Sequence, residues 1–302
     1  TLHLLLLSSL FPLLLALPLL ALLVWLGVSS GLAPLRGLAT QLHQRGARSL
    51  QPLALSRAPV EVHSLVNALN LLLERLGSAM EAERRLTSDA AHEIRTPLAS
   101  LRTHAQVALR SSDPTVLAHG LRQVSQSVER ITALMEQILL LARLDNEELH
   151  ETFIRVDLGQ LSEETIAELA PQAIAKNIEL TLESQGGTVL GVPVWLGIML
   201  GNLVGNALRY TPEGGQVEIT LERHGQWVEL WVRDSGPGVA ASEQAAIFTR
   251  FYRSPGVSGS SGSGLGLPIV KRVVEIHQGR ISLHPGLGGA GLGVRVELPS
   301  AP

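Results

Sequence analysis

The chain has no cysteine, which excludes disulfides, thiolate catalysis and thiolate metal sites. Lysine is almost missing too: Lys176 and Lys271 are the only two in 302 residues, so arginine supplies nearly all the positive charge. Aromatic residues make up 3% of the sequence while leucine is abundant, a balance that suits helices better than an all-β fold. A net charge of -3 offers no electrostatic affinity for nucleic acid, and no direct nucleic-acid partner is expected. The string Gly-x4-Gly-Lys-Ser/Thr does not occur, which excludes a P-loop. No Asp, Glu, Lys or Arg precedes Arg36.

That start is almost wholly apolar from Leu2 to Leu26. A helix of about 25 residues rising 1.5 Å per residue reaches roughly 37 Å, more than the ~30 Å hydrocarbon core of a bilayer. Residues 1–27 are therefore expected to form a transmembrane helix. The run is too long for a signal-peptide core and lacks a basic start, and Pro12 and Pro18 are tolerable inside a span. Arg36, Arg45 and Arg48 follow closely, which puts the remainder on the cytoplasmic side of a bacterial inner membrane. The chain opens on Thr1, and an earlier segment carrying an extracytoplasmic sensor is expected before it.

Residues 28–79 read as two short amphipathic helices. Leu35, Leu38 and Leu42 mark the first; Val62, Leu65, Val66, Leu69 and Leu72 mark the second; Gln51 to Pro59 breaks the pattern between them. This arrangement resembles a HAMP linker, the parallel four-helix module that joins receptor spans to kinases. An ordinary helical hairpin fits the same pattern.

In residues 80–148 a long helix runs from Met80 towards Ser111, Asp113 and Pro114 supply a cap and a first turn, and a second helix continues to about Leu144. Leu117, Leu121, Val124, Val128, Ile131, Met135 and Ile138 step by four and three, the seam spacing of a bundle. A two-helix hairpin cannot bury such a stripe alone, so two chains are expected to form a dimeric four-helix bundle. On the first helix His92 adjoins the carboxylate Glu93, and the hydroxyl Thr96 lies one turn on along the same face. A neutral imidazole offers one ring nitrogen to an electrophile while a carboxylate holds or accepts the proton of the other. Pro97 removes a backbone donor and should bend the helix beside the histidine. His92-Glu93-Ile-Arg-Thr96-Pro-Leu resembles the H-box of sensor histidine kinases, whose histidine accepts a phosphoryl group from ATP.

Residues 152–302 mix helices, at Leu158–Leu169 and Gly191–Leu208, with β-rich stretches at Ile178–Leu182, Gln216–Leu221, Trp227–Arg233, Ile281–His284 and Val294–Leu298. An α+β sandwich, a sheet with helices on one face, is the expected fold. Three motifs in it carry chemistry. Asn202 and Asn206 stand four apart on one helical face with Arg209 and Tyr210 following, amide oxygens suited to Mg²⁺ and a guanidinium suited to phosphate. Asp234-Ser-Gly236-Pro-Gly238 combines an acceptor-only carboxylate with glycines that let the backbone approach a ring. A Gly/Ser-rich lid, Ser254 to Ser263, ends in Gly262-Ser-Gly264-Leu265-Gly266-Leu267 and runs into a helix, an anion site for a triphosphate.

Together these resemble the N, G1 and G2 boxes of the GHKL, or Bergerat, ATP-binding fold, with an F box at Ile247-Phe248-Thr-Arg250-Phe251-Tyr-Arg253. The resemblance to sensor histidine kinases, specifically the class that partners OmpR-type regulators, covers the chain after the span. It implies ATP and Mg²⁺ as cofactors, with Asn206 binding Mg²⁺, Asn202 in support, Asp234 reading adenine, and Arg209 and Arg253 near the phosphates. It also implies a homodimer in which His92 is phosphorylated and then passes the group to an aspartate of a response regulator receiver domain. Glu93 and Thr96 match the Glu-x-x-Thr pattern associated with dephosphorylating that regulator. The other classes are a GHKL ATPase that never touches His92 and a non-enzymatic membrane adaptor.

Overall fold

The structure is a computed structural model and describes residues 17–26, 29, 51–53, 60–111, 113–145, 152–254 and 262–301. It divides into two compact units, one ending at Thr87 and one beginning at Ser88.

In the first unit residues 17–26 are helical. The rest of the expected span and the first linker helix lie outside the described residues; among those described, no helix is long and apolar enough to cross a membrane. Residues 51–53 lie against the first part of helix α1 (Val60–Arg110). Leu53 and Val66 bury each other with Leu69 and Leu73 alongside. Asn70 satisfies both backbone groups of Leu53, accepting its N–H at 2.6 Å and donating to its carbonyl at 3.1 Å. Leu65, Leu72 and Leu76 stay exposed.

α1 is one 51-residue helix, with no stop at the Gly77–Met80 stretch where separate helices were expected. A glycine inside a helix costs only about 1 kcal/mol relative to alanine, which the flanking Leu-, Glu- and Arg-rich turns outweigh. Pro97 also lies inside it: the ring denies the Glu93 carbonyl its usual donor, but the neighbouring turns keep theirs.

In the second unit the distal part of α1 turns through Ser111 and Asp113 into helix α2 (Pro114–Asp145). Asp113 caps α2, its Oδ1 accepting the Thr115 N–H at 2.8 Å and the Thr115 hydroxyl at 2.7 Å, and those bonds hold its carboxyl below the usual range. The helices approach closely where Gly120 meets Ala108: a Cβ on Gly120 would lie 2.8 Å from that of Ala108. Within one chain the buried stripe of α2 is Gly120, Ser127, Leu134 and Leu141, at seven-residue spacing. The stripe expected as the seam differs, and its Leu117, Leu121, Val128 and Met135 remain exposed.

The remainder is a five-stranded mixed sheet with three helices. Strand β1 (Ile154–Asp157) leads into α3 (Leu158–Ala175), β2 (Glu179–Ser184), β3 (Thr188–Gly191), α4 (Pro193–Tyr210), β4 (Gln216–His224), β5 (Trp227–Asp234), α5 (Gly266–Ile276), β6 (Arg280–Pro285) and β7 (Leu292–Pro299). The large sheet has the order β2-β4-β5-β7-β6, with β2 parallel to β4 and every other pairing antiparallel. β1 and β3, which the sequence did not reveal, form a separate antiparallel pair. Alternate residues Val217, Ile219 and Leu221 of β4 and Val228, Leu230 and Val232 of β5 face the helices and are buried. The other sheet face carries polar side chains, among them Arg295 forked onto Glu229 at 2.6 and 3.1 Å, which lowers the Glu229 pKa.

Asp157 starts α3 by accepting the Gly159 N–H at 2.8 Å. At the far end of α5, His277 is buried and bridges two elements: its Nδ1–H donates to the Val273 carbonyl at 2.7 Å, and its Nε2 accepts the Val192 N–H at 3.1 Å. Phe153 stacks on the ring at 5.0 Å. Burial lowers the pKa of this imidazole.

Candidate functional site

A cavity of about 560 Å³ lies where α4, the end of β5, the start of α5 and the middle of α2 converge. Asp234 lines it. Strand β5 delivers this carboxylate to the turn, where it is only 5% exposed, and Oδ1 accepts the N–H of Gly236 at 2.8 Å and of Leu292 at 3.1 Å. Among the described residues Oδ2 takes no hydrogen bond, so the cavity has a carboxylate oxygen with a vacant acceptor position. Burial raises the Asp234 pKa and the two backbone bonds oppose it. The loop can wrap this carboxylate because Gly291, at φ 73°, brings its backbone so close that a Cβ there would sit 2.0 Å from the Asp234 carbonyl oxygen.

Another wall of the cavity is built by α4. Pro193 opens the helix, and Trp195, Leu196, Met199, Leu200, Leu203 and Val204 bury one side of it in the core, which leaves the Asn202/Asn206 face to the cavity. Asn202 donates from Nδ2 to the Ile198 carbonyl at 2.8 Å, and Arg209 donates from Nη1 to Asn206 Oδ1 at 3.3 Å. Gly266, opening α5, passes so near that a Cβ on it would lie 2.8 Å from Asn202 Oδ1 and 3.1 Å from Asn206 Nδ2. Among the described residues there is no cluster of three or more His, Asp or Glu able to hold a metal ion. A hard cation here fits only as one carried largely by phosphate oxygens and water, with the Asn206 amide oxygen as the protein's contribution.

Residues 255–261 of the glycine-rich lid lie outside the described residues; its two ends line the cavity. The first end, Arg253 and Ser254, is held by Glu243, whose carboxylate accepts the Tyr252 hydroxyl at 3.0 Å and the Ser254 hydroxyl at 2.7 Å. The second end, Gly262 to Gly264, is tied back by the Phe251 N–H to the Gly264 carbonyl at 2.9 Å. The Arg209 guanidinium lies beside Gly262, Nη1 being 3.1 Å from where a Cβ would stand.

The structure thus brings Asn202, Asn206, Arg209, Tyr210, Asp234, Gly238, Arg253, Gly262, Gly264, Gly266 and Leu267 to one cavity. Gly236, Phe248 and Leu265 do not line it. Gly236 donates to Asp234 from behind, Leu265 is fully buried, and Phe248 lies under the Lys271 ammonium at 5.8 Å. His92, Glu93 and Thr96 are absent from the lining as well. His92 and Thr96 are exposed on α1, Glu93 is half-buried, and Ile94 packs into the core.

Side chains from α2 were invisible to sequence reasoning. Glu136, Gln137 and Leu140 line the cavity, and Gln137 accepts the Ser263 hydroxyl at 2.6 Å across 126 residues of chain. The end of α2 is fastened by Asp145, paired with Arg250 and Arg272, and by Arg272 donating to the Leu144 carbonyl at 3.0 Å.

A two-helix stem bearing an exposed histidine, followed by a mixed sheet whose Asp-Gly turn, Asn helix and glycine-lid ends share a cavity, defines the class: a helical hairpin joined to an α+β pocket domain. Comparison with known families agrees. Residues 191–302 match the Histidine kinase-, DNA gyrase B-, and HSP90-like ATPase family, residues 82–147 the His Kinase A (phospho-acceptor) domain, and residues 32–78 the Sensor protein PhoQ-like HAMP domain. The sensor protein kinase PmrB of Pseudomonas aeruginosa is 65% identical over 299 residues, 99% of this chain and 63% of PmrB. Of solved structures, full-length ShkA in complex with AMPPNP is similar over 72% of this chain and 46% of its own, at 27% identity and TM-score 0.54. Histidine kinase ThkA in complex with the response regulator protein TrrA shares the fold over 76% of this chain and 64% of its own, at 24% identity and TM-score 0.60. The chain belongs to the sensor histidine kinases, and it spans about three fifths of the length of the curated relatives it matches.

Proposed function

We propose that this chain is the membrane-anchored, homodimeric transmitter part of a sensor histidine kinase: it binds Mg-ATP, phosphorylates His92 and passes the phosphoryl group to a receiver-domain aspartate of an OmpR-like response regulator. The observation that carries the reading is the set of groups the cavity joins, the vacant Oδ2 of Asp234 together with Asn202, Asn206 and Arg209. Asp234 Oδ2 accepts from an adenine amino group, the one donor that an acceptor-only carboxylate needs. The Arg209 and Arg253 guanidinium groups and the amides of Gly262 to Gly266 face the polyphosphate. Asn206 would hold Mg²⁺, which would supply charge neutralisation at the phosphates.

In the transfer, a ring nitrogen of His92 forms the N–P bond as the bond from the γ-phosphorus to the bridging oxygen breaks. ADP leaves with the electron pair, and the proton of the other ring nitrogen passes to Glu93 or to water. Because His92 does not line the cavity, the ATP-binding part must leave α2, or engage the hairpin of the second protomer, before transfer. The exposed seam Leu117, Leu121, Val128 and Met135 is the surface for that protomer. The match of residues 82–147 to a phospho-acceptor domain supports the role of His92, and ShkA, solved with AMPPNP, supports a nucleotide in the cavity. Thr96, one turn from His92, would orient a water that hydrolyses the regulator's aspartyl phosphate, releasing inorganic phosphate and the free carboxylate. The apolar run over residues 1–27 and the HAMP match over residues 32–78 support the membrane anchor, with the catalytic part cytoplasmic.

The test is incubation of the full chain, in detergent, with Mg-ATP labelled at the γ position, beside His92→Gln and Asn206→Ala. Acid-labile, alkali-stable label on the wild type alone is the expected result. Label that persists on His92→Gln removes His92 from the mechanism, and ATP hydrolysis without label turns the reading to an ATPase that drives motion.

A further inference from the structure

One of the two lysines stands where the N-box helix ends. Lys176, just past α3, donates from Nζ to three backbone carbonyls at the C-terminus of α4: Leu208 at 2.9 Å, Arg209 at 2.8 Å and Thr211 at 3.0 Å. Its own carbonyl accepts the Gly214 N–H at 3.1 Å, so the residue grips the turn after the helix from both sides. Thr211 completes the cap, its N–H and hydroxyl both directed to the Ala207 carbonyl. An ammonium has three donors, and all three are used on carbonyls that a helix end leaves unpartnered.

The helix end so held is the one that carries Arg209 and Tyr210 into the cavity. A helix C-terminus bears a partial negative charge of about half an electron, the wrong sign beside a bound polyanion. From this geometry we infer that Lys176 is a positioning residue for nucleotide phosphates. It fixes the turn that aims Arg209 and Tyr210 and cancels the negative pole of α4, without itself lining the cavity. The inference rests on the nucleotide reading of that cavity, and it adds a residue from outside the N box to the machinery for the triphosphate.

Arginine in this place keeps the charge and can still reach two carbonyls through its fork, whereas methionine keeps the stem and loses both. The experiment measures affinities for ATP and for adenosine on the full chain in detergent, by competition against a fluorescent ATP analogue, for wild type, Lys176→Met and Lys176→Arg, with melting curves alongside. Lys176→Met is expected to weaken ATP about 5- to 30-fold while adenosine changes less than about 2-fold, and Lys176→Arg to restore most of the ATP affinity. Equal weakening of ATP and adenosine, tracking a lower melting temperature, would reduce Lys176 to a structural cap and overturn the inference. So would an unchanged ATP affinity in Lys176→Met. A wild type that binds no ATP would bring down the nucleotide reading itself, and this inference with it.

Discussion

Replacing Asp234 by asparagine separates binding from folding, because the two should move in opposite directions. In the wild type Oδ1 is committed to the Gly236 and Leu292 N–H groups, and Oδ2 is the vacant acceptor. An asparagine can keep its oxygen on those two donors only by pointing its NH₂ into the cavity, where it meets the amino hydrogens of adenine. One charge-assisted hydrogen bond is lost and two donors are left facing each other, together about 2–4 kcal/mol, or roughly 30- to 700-fold in affinity. Stability should not fall with it. Burial raises the Asp234 pKa above its unfolded value, so its contribution to stability is full below the unfolded pKa and is lost as pH rises through the folded one. At neutral pH the ionised carboxylate therefore costs stability, and Asp234→Asn removes that cost. Titration with a fluorescent ATP analogue and a thermal melt at pH 7.5 measure both sides. Wild-type affinity in Asp234→Asn would refute the assignment of Asp234 to adenine; a melting point several degrees lower would refute the account of the buried charge.

Gly120→Val should open the hairpin, since the added carbon atoms meet the Ala108 methyl at 2.8 Å or less; overpacking of about 1–3 kcal/mol is expected, read as a lower urea midpoint. His277, whose folded pKa lies below the unfolded one, contributes stability that is present above the unfolded value and lost as pH falls through the folded one, so melting points taken downward from pH 7 should decline faster in wild type than in His277→Gln. Truncating the fully buried Leu141 to alanine should cost about 2–5 kcal/mol, and a change below 0.5 kcal/mol would mean that α2 is not packed as described.

What sequence could show was what short-range spacing encodes. Asn202 and Asn206 share a face because four residues make a turn, and Asp234 is announced by the glycines two and four residues on. What it missed depends on distant parts of the chain meeting. Lys176 reaches across 32 residues to Leu208, and Gln137 across 126 to Ser263, and neither has a local pattern. The β1–β3 pair escaped because four-residue strands are too short to show alternation, and Gly191, expected to begin a helix, ends β3 instead. The choice of stripe on α2 was ambiguous for a different reason. The helix has two apolar faces, and only the packing against α1 and α5 says which is used within the chain.

The docking of α2 onto the ATP-binding part bears on how quiet the molecule is as a signalling device. Leu141 and Leu144, 1% and 0% exposed, belong to the same apolar cluster as Ile269 and Val273 of α5. Release of the domain from α2, one of the two routes proposed for the transfer, would return those leucines to water at about 1.5–3 kcal/mol each. With the Gln137, Leu144 and Asp145 contacts added, the docked arrangement is favoured over a released one. On the proposed mechanism that contact would set the leak of the circuit, the output it gives with no stimulus.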